Sequence, residues 1–461
     1  EWPAAIAFIL STALGAVAGA VCLIVGRRAP NVFSHREGLG LVSLSWLAVA
    51  AVGAFPYVLT GELDLIGSFF ESMSGFTTTG STVIQNIEGA PRSLLFWRAL
   101  TQWLGGMGIV VLFIAVLPYL GAGGKLLYRS ESPGPDPRAL TPHIKDTATA
   151  LYRIYLLLTA IQTGALMAAG MNFYDALVHT FTTLPTGGFS PRQASIAAYD
   201  SVAIEIIIIV FMIVAGTNFG LYFAMMRGDW FAVVRNTEWR TYMAILIVIT
   251  AIIAVDLTVA EFNTPDGAPP GDGYTAGEAL RSAGFQVVSL MTTTGFGTDN
   301  YDTWPHLSRM LLIALMFIGG CAGSTGGGIK VARIIMLLKI MYWRVEATFR
   351  PKTIRAVRIG DEVVDREVQN SVTGFIILYV IWLSAGIVFM SALGLRFETA
   401  SSAVITCLNN IGPGLDLVGP ARDVSQIPPI GQLFLSLCMV LGRLELYSVT
   451  VLLMPSFWKH S

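Results

Sequence analysis

The sequence predicts an all-α polytopic membrane protein with four pseudo-symmetric M1–pore loop–M2 repeats around one pore, preceded by at least one extra helix. M1 and M2 denote spanning helices; the pore loop is a short helix that dips in and turns back. Three observations predict this: a composition suited to lipid, nine apolar runs long enough to span, and a glycine turn recurring four times at nearly constant spacing.

Of 461 residues, 54% are hydrophobic and 13% charged. A soluble domain carries about 25% charged residues. The charges fall in short stretches between long apolar runs, and a helical span takes roughly 20 residues. These runs lie at about 3–26, 38–60, 93–120, 149–171, 202–226, 241–260, 307–342, 370–395 and 430–455. A net charge of −1 without a basic tract gives no footprint for nucleic acid. Cys22, Cys321, Cys407 and Cys438 lack CxxC spacing, so neither a disulfide framework nor a zinc site is indicated. No nucleophile–base set or metal cluster points to an enzyme, and with no basic n-region before the first run no signal peptide is expected.

Four shorter semi-apolar segments, 64–76, 173–184, 276–291 and 398–408, are too short to span, and each runs into a Thr/Asn/Gly cluster. Such a segment reads as a re-entrant loop, tolerated at membrane depth only where it lines a cavity. The connections near 27–37, 119–148, 227–240 and 330–367 and the tail hold most of the Lys and Arg. That side is expected to be cytoplasmic, with the C-terminus inside and all four dips opening outward. Nine spans would then put Glu1 outside. With no initial Met, an unseen first helix is expected.

The turns after the dips read FTTTGST (76–82), LPTGGFS (184–190), MTTTGFG (291–297) and LNNIGPG (408–414). With Gly80, Gly188, Gly295 and Gly412 in register, subtracting positions gives separations of 108, 107 and 117 residues. The repeats then run 37–125, 126–228, 229–345 and 346–461, after an N-terminal helix and link over 1–36. A dehydrated cation needs oxygen ligands, which rings of backbone carbonyls supply. Glycine provides the positive φ that aims successive carbonyls at one axis. The candidate filter is therefore Thr78, Thr79, Gly80, Thr186, Gly187, Gly188, Thr293, Thr294, Gly295, Asn410, Ile411 and Gly412, with a monovalent cation as permeant ligand. A single TTTG run would read as a polar loop; the fourfold recurrence is what singles it out.

The 307–342 run is interrupted by FIGGCAGSTGGGIKV (317–331), with six glycines. A phosphate loop needs GK[ST], but Ile329 follows Gly328. The segment reads as a flexible intramembrane gate comprising Gly319, Gly320, Gly323, Ser324, Thr325, Gly326, Gly327 and Gly328; close helix packing through small residues is the alternative. Lys330 either joins that gate or snorkels to the cytoplasmic surface. Arg443, inside the last span, is a candidate electrostatic barrier or half of a structural ion pair; Glu445, two residues on, is poorly placed to be its partner. Glu62, Asp64, Glu71, Glu88, Asp299 and Asp302 could concentrate cations at the outer mouth or serve as caps and loop charges. Trp97, Trp304 and Trp458 read as interfacial anchors.

At FFESMSGFTTTGST, QWLGGMGIVVL, TGGFS, QVVSLMTTTGFGTD, FIGGCAGSTGGGIKV, LNNIGPGL and LGRLELYSVTVLLMPSFW, from about residue 36 to the end, the chain resembles the Trk/Ktr/HKT superfamily of potassium transport proteins, and within it the bacterial TrkH-type subunits. The resemblance implies four M1–P–M2 repeats after two extra helices, of which one is visible here. It implies that the four glycines belong to a potassium filter, that the broken third-repeat helix is an intramembrane gating loop, and that Arg443 lies near the pore. It further implies a bacterial inner-membrane homodimer on a cytosolic ring of TrkA-type subunits. Those subunits would bind ATP/ADP or NAD(H), since this chain carries no organic-cofactor motif. The departures LPTGG and NNIG imply pseudo-symmetry and modest selectivity. The competing class is an ion-coupled secondary transporter; such folds often have inverted repeats, whereas these dips all open one way.

Overall fold

The computed structural model describes residues 2–27, 35–116, 144–259, 274–350, 357–359 and 362–459. Each of the nine apolar runs falls on helix within the described residues, some of them interrupted. A first helix, Trp2–Gly26, precedes four units, each an outer helix, a short helix and an inner helix. The outer helices are His35–Gly53, continued by Phe55–Thr60, then Ile144–Ala168, Thr237–Val259 and Arg366–Ala392. The short helices are Leu65–Phe76, Phe173–Thr183, Ala276–Met291 and Phe397–Asn409, within one residue of the sequence expectation. The only strands among the described residues, Arg358–Ile359 and Glu362–Val363, form a small antiparallel pair.

Among the described residues, the helices long and apolar enough to span alone are the first helix and the four outer helices. Their lipid-facing sides are plain: on Thr237–Val259, Tyr242, Leu246, Ile253 and Leu257 are buried while Ile247, Val248 and Val255 are exposed. The inner helices differ. Arg92–Val116 is continuous, but three others break. The second-repeat helix bends by 88° between Val202–Ala215 and Phe219–Met226, where the sequence predicts one span over 202–226. Asn218 caps the new segment by accepting from Gly220 N (2.7 Å). The third breaks between His306–Ile318 and Val331–Phe349, as the glycine run predicts, and the fourth between Pro429–Arg443 and Leu446–Thr450. The wide breaks fall on inner helices, which fits the rule that non-helical backbone survives at depth only away from lipid.

Three short helices are capped by side chains: Asp64 accepts from Gly67 N, Asn172 from Asp175 N, and Thr275 forms a capping box with Glu278. All four end at the candidate filter, so the partial negative charge of their C-termini falls beside it. Two aromatic expectations diverge. Trp458 is exposed, whereas Trp304 is fully buried against Tyr301 and cannot be an interfacial anchor.

Candidate ion pathway

Each short helix ends with the same pair of hydrogen bonds. Thr79, Gly187, Thr294 and Ile411 donate N–H to the carbonyls of Ser74, Thr182, Ser289 and Thr406, at 2.9, 2.8, 2.9 and 2.9 Å. The preceding residue in each case, Thr78, Thr186, Thr293 or Asn410, bonds three residues back and has φ of 53°, 57°, 63° or 55°. This is a helix end closed by a left-handed residue, a position that favours Gly or Asn. Asn410 suits it; three β-branched threonines do not, and strain of this kind is maintained at functional sites. Two residues on, Gly80, Gly188, Gly295 and Gly412 are left-handed again (88°, 75°, 80°, 96°), and the residue between is not. Alternating handedness turns successive peptide planes the same way, so their carbonyls share a side instead of alternating as in a strand.

The four turns meet as a closed ring. A Cβ on Gly80 would stand 2.2 Å from the Gly187 carbonyl oxygen, one on Gly188 1.9 Å from that of Thr294, one on Gly295 1.9 Å from that of Ile411, and one on Gly412 2.9 Å from that of Thr79. Repeat one thus touches two, two touches three, three touches four, and four returns to one. Just outside, Ile87 N reaches Gln193 Oε1, Ile196 N the Gly297 carbonyl, Tyr301 Oη the Gly414 carbonyl, and Val424 N the Thr82 carbonyl. All twelve candidate filter residues therefore come together. Their hydroxyls are mostly committed elsewhere: Thr79 pairs with Thr77 (2.8 Å) and with Asn410 Nδ2 (3.0 Å), and Thr294 with Thr292 (2.8 Å). The Thr78 hydroxyl is buried without a hydrogen-bond partner among the described residues.

Residues 6–460 match the family model TrkH, described as a cation transport protein. The chain belongs to the TrkH family. It is 40% identical over 457 residues to the Trk system potassium uptake protein TrkH of Halomonas elongata, covering 98% of this chain and 92% of that one. Against the Salmonella typhimurium protein of the same name the identity is 37% over 446 residues, with 96% and 90% covered. The crystal structure of the potassium transporter TrkH from Vibrio parahaemolyticus superposes with a TM-score of 0.88 at 33% identity, covering 99% of this chain and 93% of that one. As a TrkH-family member, the chain is a multi-pass membrane protein of a transport family.

Directly against the ring lies the glycine run of the third repeat. Gly327 N donates to Thr293 Oγ1 at 2.7 Å, and Thr325 Oγ1 to the Leu184 carbonyl at 2.8 Å. A Cβ on Gly327 would stand 2.2 Å from the Asn409 carbonyl oxygen, and one on Gly326 3.0 Å from that of Thr292. Gly319, Gly323 and Gly328 are left-handed. Gly319, Gly320, Ser324, Thr325, Gly326 and Gly327 are buried and Gly323 and Gly328 half-buried. Glu238, on the outer helix of the same repeat, accepts from Ala322 N (2.8 Å) and Ala332 N (2.9 Å), bracketing the run.

Lys330 does not snorkel. It is buried, left-handed (φ 82°), and its Nζ folds back onto the Gly326 carbonyl. Arg443 is 5% exposed and donates to the Thr325 carbonyl (2.6 Å) and more weakly to that of Gly105 (3.4 Å), joining the first and fourth repeats to the loop. Glu445 pairs not with Arg443 but with Arg333 at 2.7 Å.

The outer carboxylates are mostly committed. Asp64 is a cap, Asp299 accepts from the Tyr274 hydroxyl, and Asp302 pairs with Arg309 (3.2 Å). Burial lifts the Asp302 carboxyl above its usual range despite that arginine. Glu71 is fully buried. It takes Arg98 Nε at 2.7 Å, Val83 N at 2.9 Å and the Thr82 hydroxyl at 3.0 Å, tying the extended segment beyond Gly80 to two helices. Arg98 lies 4.0 Å from the Phe189 ring centroid, on the second repeat. The one sequence clue to this pair was a carboxylate in the otherwise uncharged FFESMSGF.

Proposed function

We propose that this chain carries potassium into the cell through a gated, channel-like pore, with the four glycine turns as its selectivity filter. The observation that carries the reading is the closed ring, in which each glycine approaches the next repeat's carbonyl while two left-handed residues per turn line up the peptide planes. Backbone oxygens so arranged replace a hydration shell. Four helix C-termini add negative potential there. The relatives named potassium uptake proteins support potassium as the ion.

The buried glycine run beneath the ring is the gate, with Lys330 and Arg443 placing positive charge against it. Helix Val331–Phe349 continues from the run and exposes Leu338, Met341, Tyr342, Val345 and Phe349, a lever on which a partner can act. That partner is a cytosolic TrkA-type subunit binding ATP/ADP or NAD(H); the chain itself needs only the permeant ion and no organic cofactor. It functions as a homodimer in the bacterial inner membrane with its C-terminus in the cytoplasm. The second reading, ion-coupled alternating access, has less support: the four dips run in one sense and lack the inverted relation.

The test is flux in liposomes under potassium, rubidium and sodium gradients. The channel reading expects potassium-selective current reversing at the potassium equilibrium potential, with no co-ion. Flux that requires a sodium or proton gradient overturns it.

A further inference from the structure

The second turn lacks a side chain at a position where the other three have one. Thr79, Thr294 and Ile411 are fully buried; Gly187 stands in their register. The space is not empty. A Cβ on Gly187 would lie 2.4 Å from both Cδ and Oε1 of Gln102 and 2.7 Å from its Nε2. Gln102 comes from another repeat, on the inner helix Arg92–Val116, and is wholly buried. Its Nε2 donates to the Gly187 carbonyl at 2.7 Å, and its Oε1 accepts from Phe189 N at 3.2 Å. One carboxamide thus brackets Gly188, fixing the peptide planes before and after it. A buried amide is held this firmly only when both its ends are matched.

We propose that Gln102 is a positioning residue for potassium selectivity: its carboxamide replaces the missing side chain of the second turn and sets the orientation of the Gly187 and Gly188 peptides. This rests on the filter reading above. It also explains how LPTGG joins a ring of TTTG-like turns without leaving a void beside the ion.

The test uses the purified full chain in liposomes, with two readouts: the potassium-over-sodium flux ratio and the thermal stability of the detergent-solubilised protein. The variants are Gln102→Ala, Gln102→Met, Gly187→Thr, the double variant Gln102→Ala/Gly187→Thr, and Gly295→Ser, which does not touch Gln102. Gln102→Met keeps the bulk and removes both hydrogen bonds, so it reports on positioning if the alanine variant folds poorly. Both Gln102 substitutions are expected to lower the flux ratio at least about fivefold, equivalent to about 1 kcal/mol. Gly187→Thr alone should lower ratio and stability together, because its side chain collides with Gln102. The double variant should be better than either single variant in both readouts, since the new side chain fills the vacated space. A double variant no better than its parents, or a Gln102→Met ratio equal to the parent protein's, overturns the proposal. Should Gly295→Ser lower the ratio while Gln102→Met does not, the filter reading stands and this inference falls. A ratio indifferent to Gly295→Ser overturns the filter reading, and the inference with it.

Discussion

Substituting the four ring glycines by alanine one at a time should produce a graded loss of selectivity whose order is set by local distances. Every site pays for a left-handed L-residue, about 1–2 kcal/mol. Collision adds to this. At Gly188 and Gly295 the new Cβ would meet a carbonyl oxygen at 1.9 Å, at Gly80 at 2.2 Å, and at Gly412 at 2.9 Å. Real Cβ contacts stay beyond 3.0 Å. The struck carbonyl therefore shifts by about 1 Å at the first two sites and hardly at all at Gly412, a strain worth about 1–3 kcal/mol where it is greatest. Each struck oxygen belongs to the neighbouring repeat's candidate filter. If about 1.4 kcal/mol of the disturbance falls on potassium and not on sodium, the permeability ratio drops about tenfold. The expected order of loss is Gly188 and Gly295 first, then Gly80, then Gly412. Rubidium and sodium flux in liposomes, scored as a ratio so that expression level cancels, measures it. An unchanged ratio in all four variants, or Gly412→Ala as the worst, refutes the reasoning.

Three further outcomes follow from the same geometry. Arg443→Ala removes the donor to the Thr325 carbonyl and should raise partner-free rubidium flux several-fold while leaving the rubidium-over-sodium ratio unchanged. Gly327→Ala places a Cβ 2.2 Å from the Asn409 carbonyl oxygen and should push the loop off the ring, again raising basal flux. Glu71→Leu strands the buried Arg98 guanidinium and should cost about 3–5 kcal/mol, read as a fall in thermal midpoint; Glu71→Leu/Arg98→Met should recover most of it.

The short helices and their register were legible because two signals coincided: runs too short to span, and glycines at a fixed period. The spanning helices were legible from hydropathy alone. Other features left no local trace. The 88° bend in the second inner helix has no glycine run, only GTN at 216–218, and an apolar window passes over it. The left-handed threonines contradict local preference, so propensity could not find them; Asn410 in the same register was the faint clue. Trp304 was misplaced because position near a span end says nothing about which way an indole points. Glu71–Arg98 and Arg333–Glu445 join residues 27 and 112 positions apart, and such partners are set by tertiary packing. Gln102 was hidden for the same reason: its significance lies in the absence of a side chain 85 residues away.

Linking four repeats in one chain frees each to diverge, and the divergence is distributed by task. Among the described residues the outer helices run through as spans, the first with a step at Ala54, while three of the four inner helices break, each differently. Among the described residues only the third contributes a loop beneath the ring, and that loop touches the other repeats asymmetrically: Leu184 of the second through Thr325, Asn409 of the fourth through Gly327, and Arg443 of the fourth through the Thr325 carbonyl. Its tie to the third repeat's own turn is the Gly327 N–H on the Thr293 hydroxyl, and Thr293 is one of the strained left-handed residues. Moving the loop therefore removes a hydrogen bond from a residue whose conformation is costly to hold. In the proposed gating, opening of the loop would therefore reach the third turn through the Thr293 side chain, an asymmetry that a fourfold-symmetric ring of identical loops could not place at one position without placing it at all four.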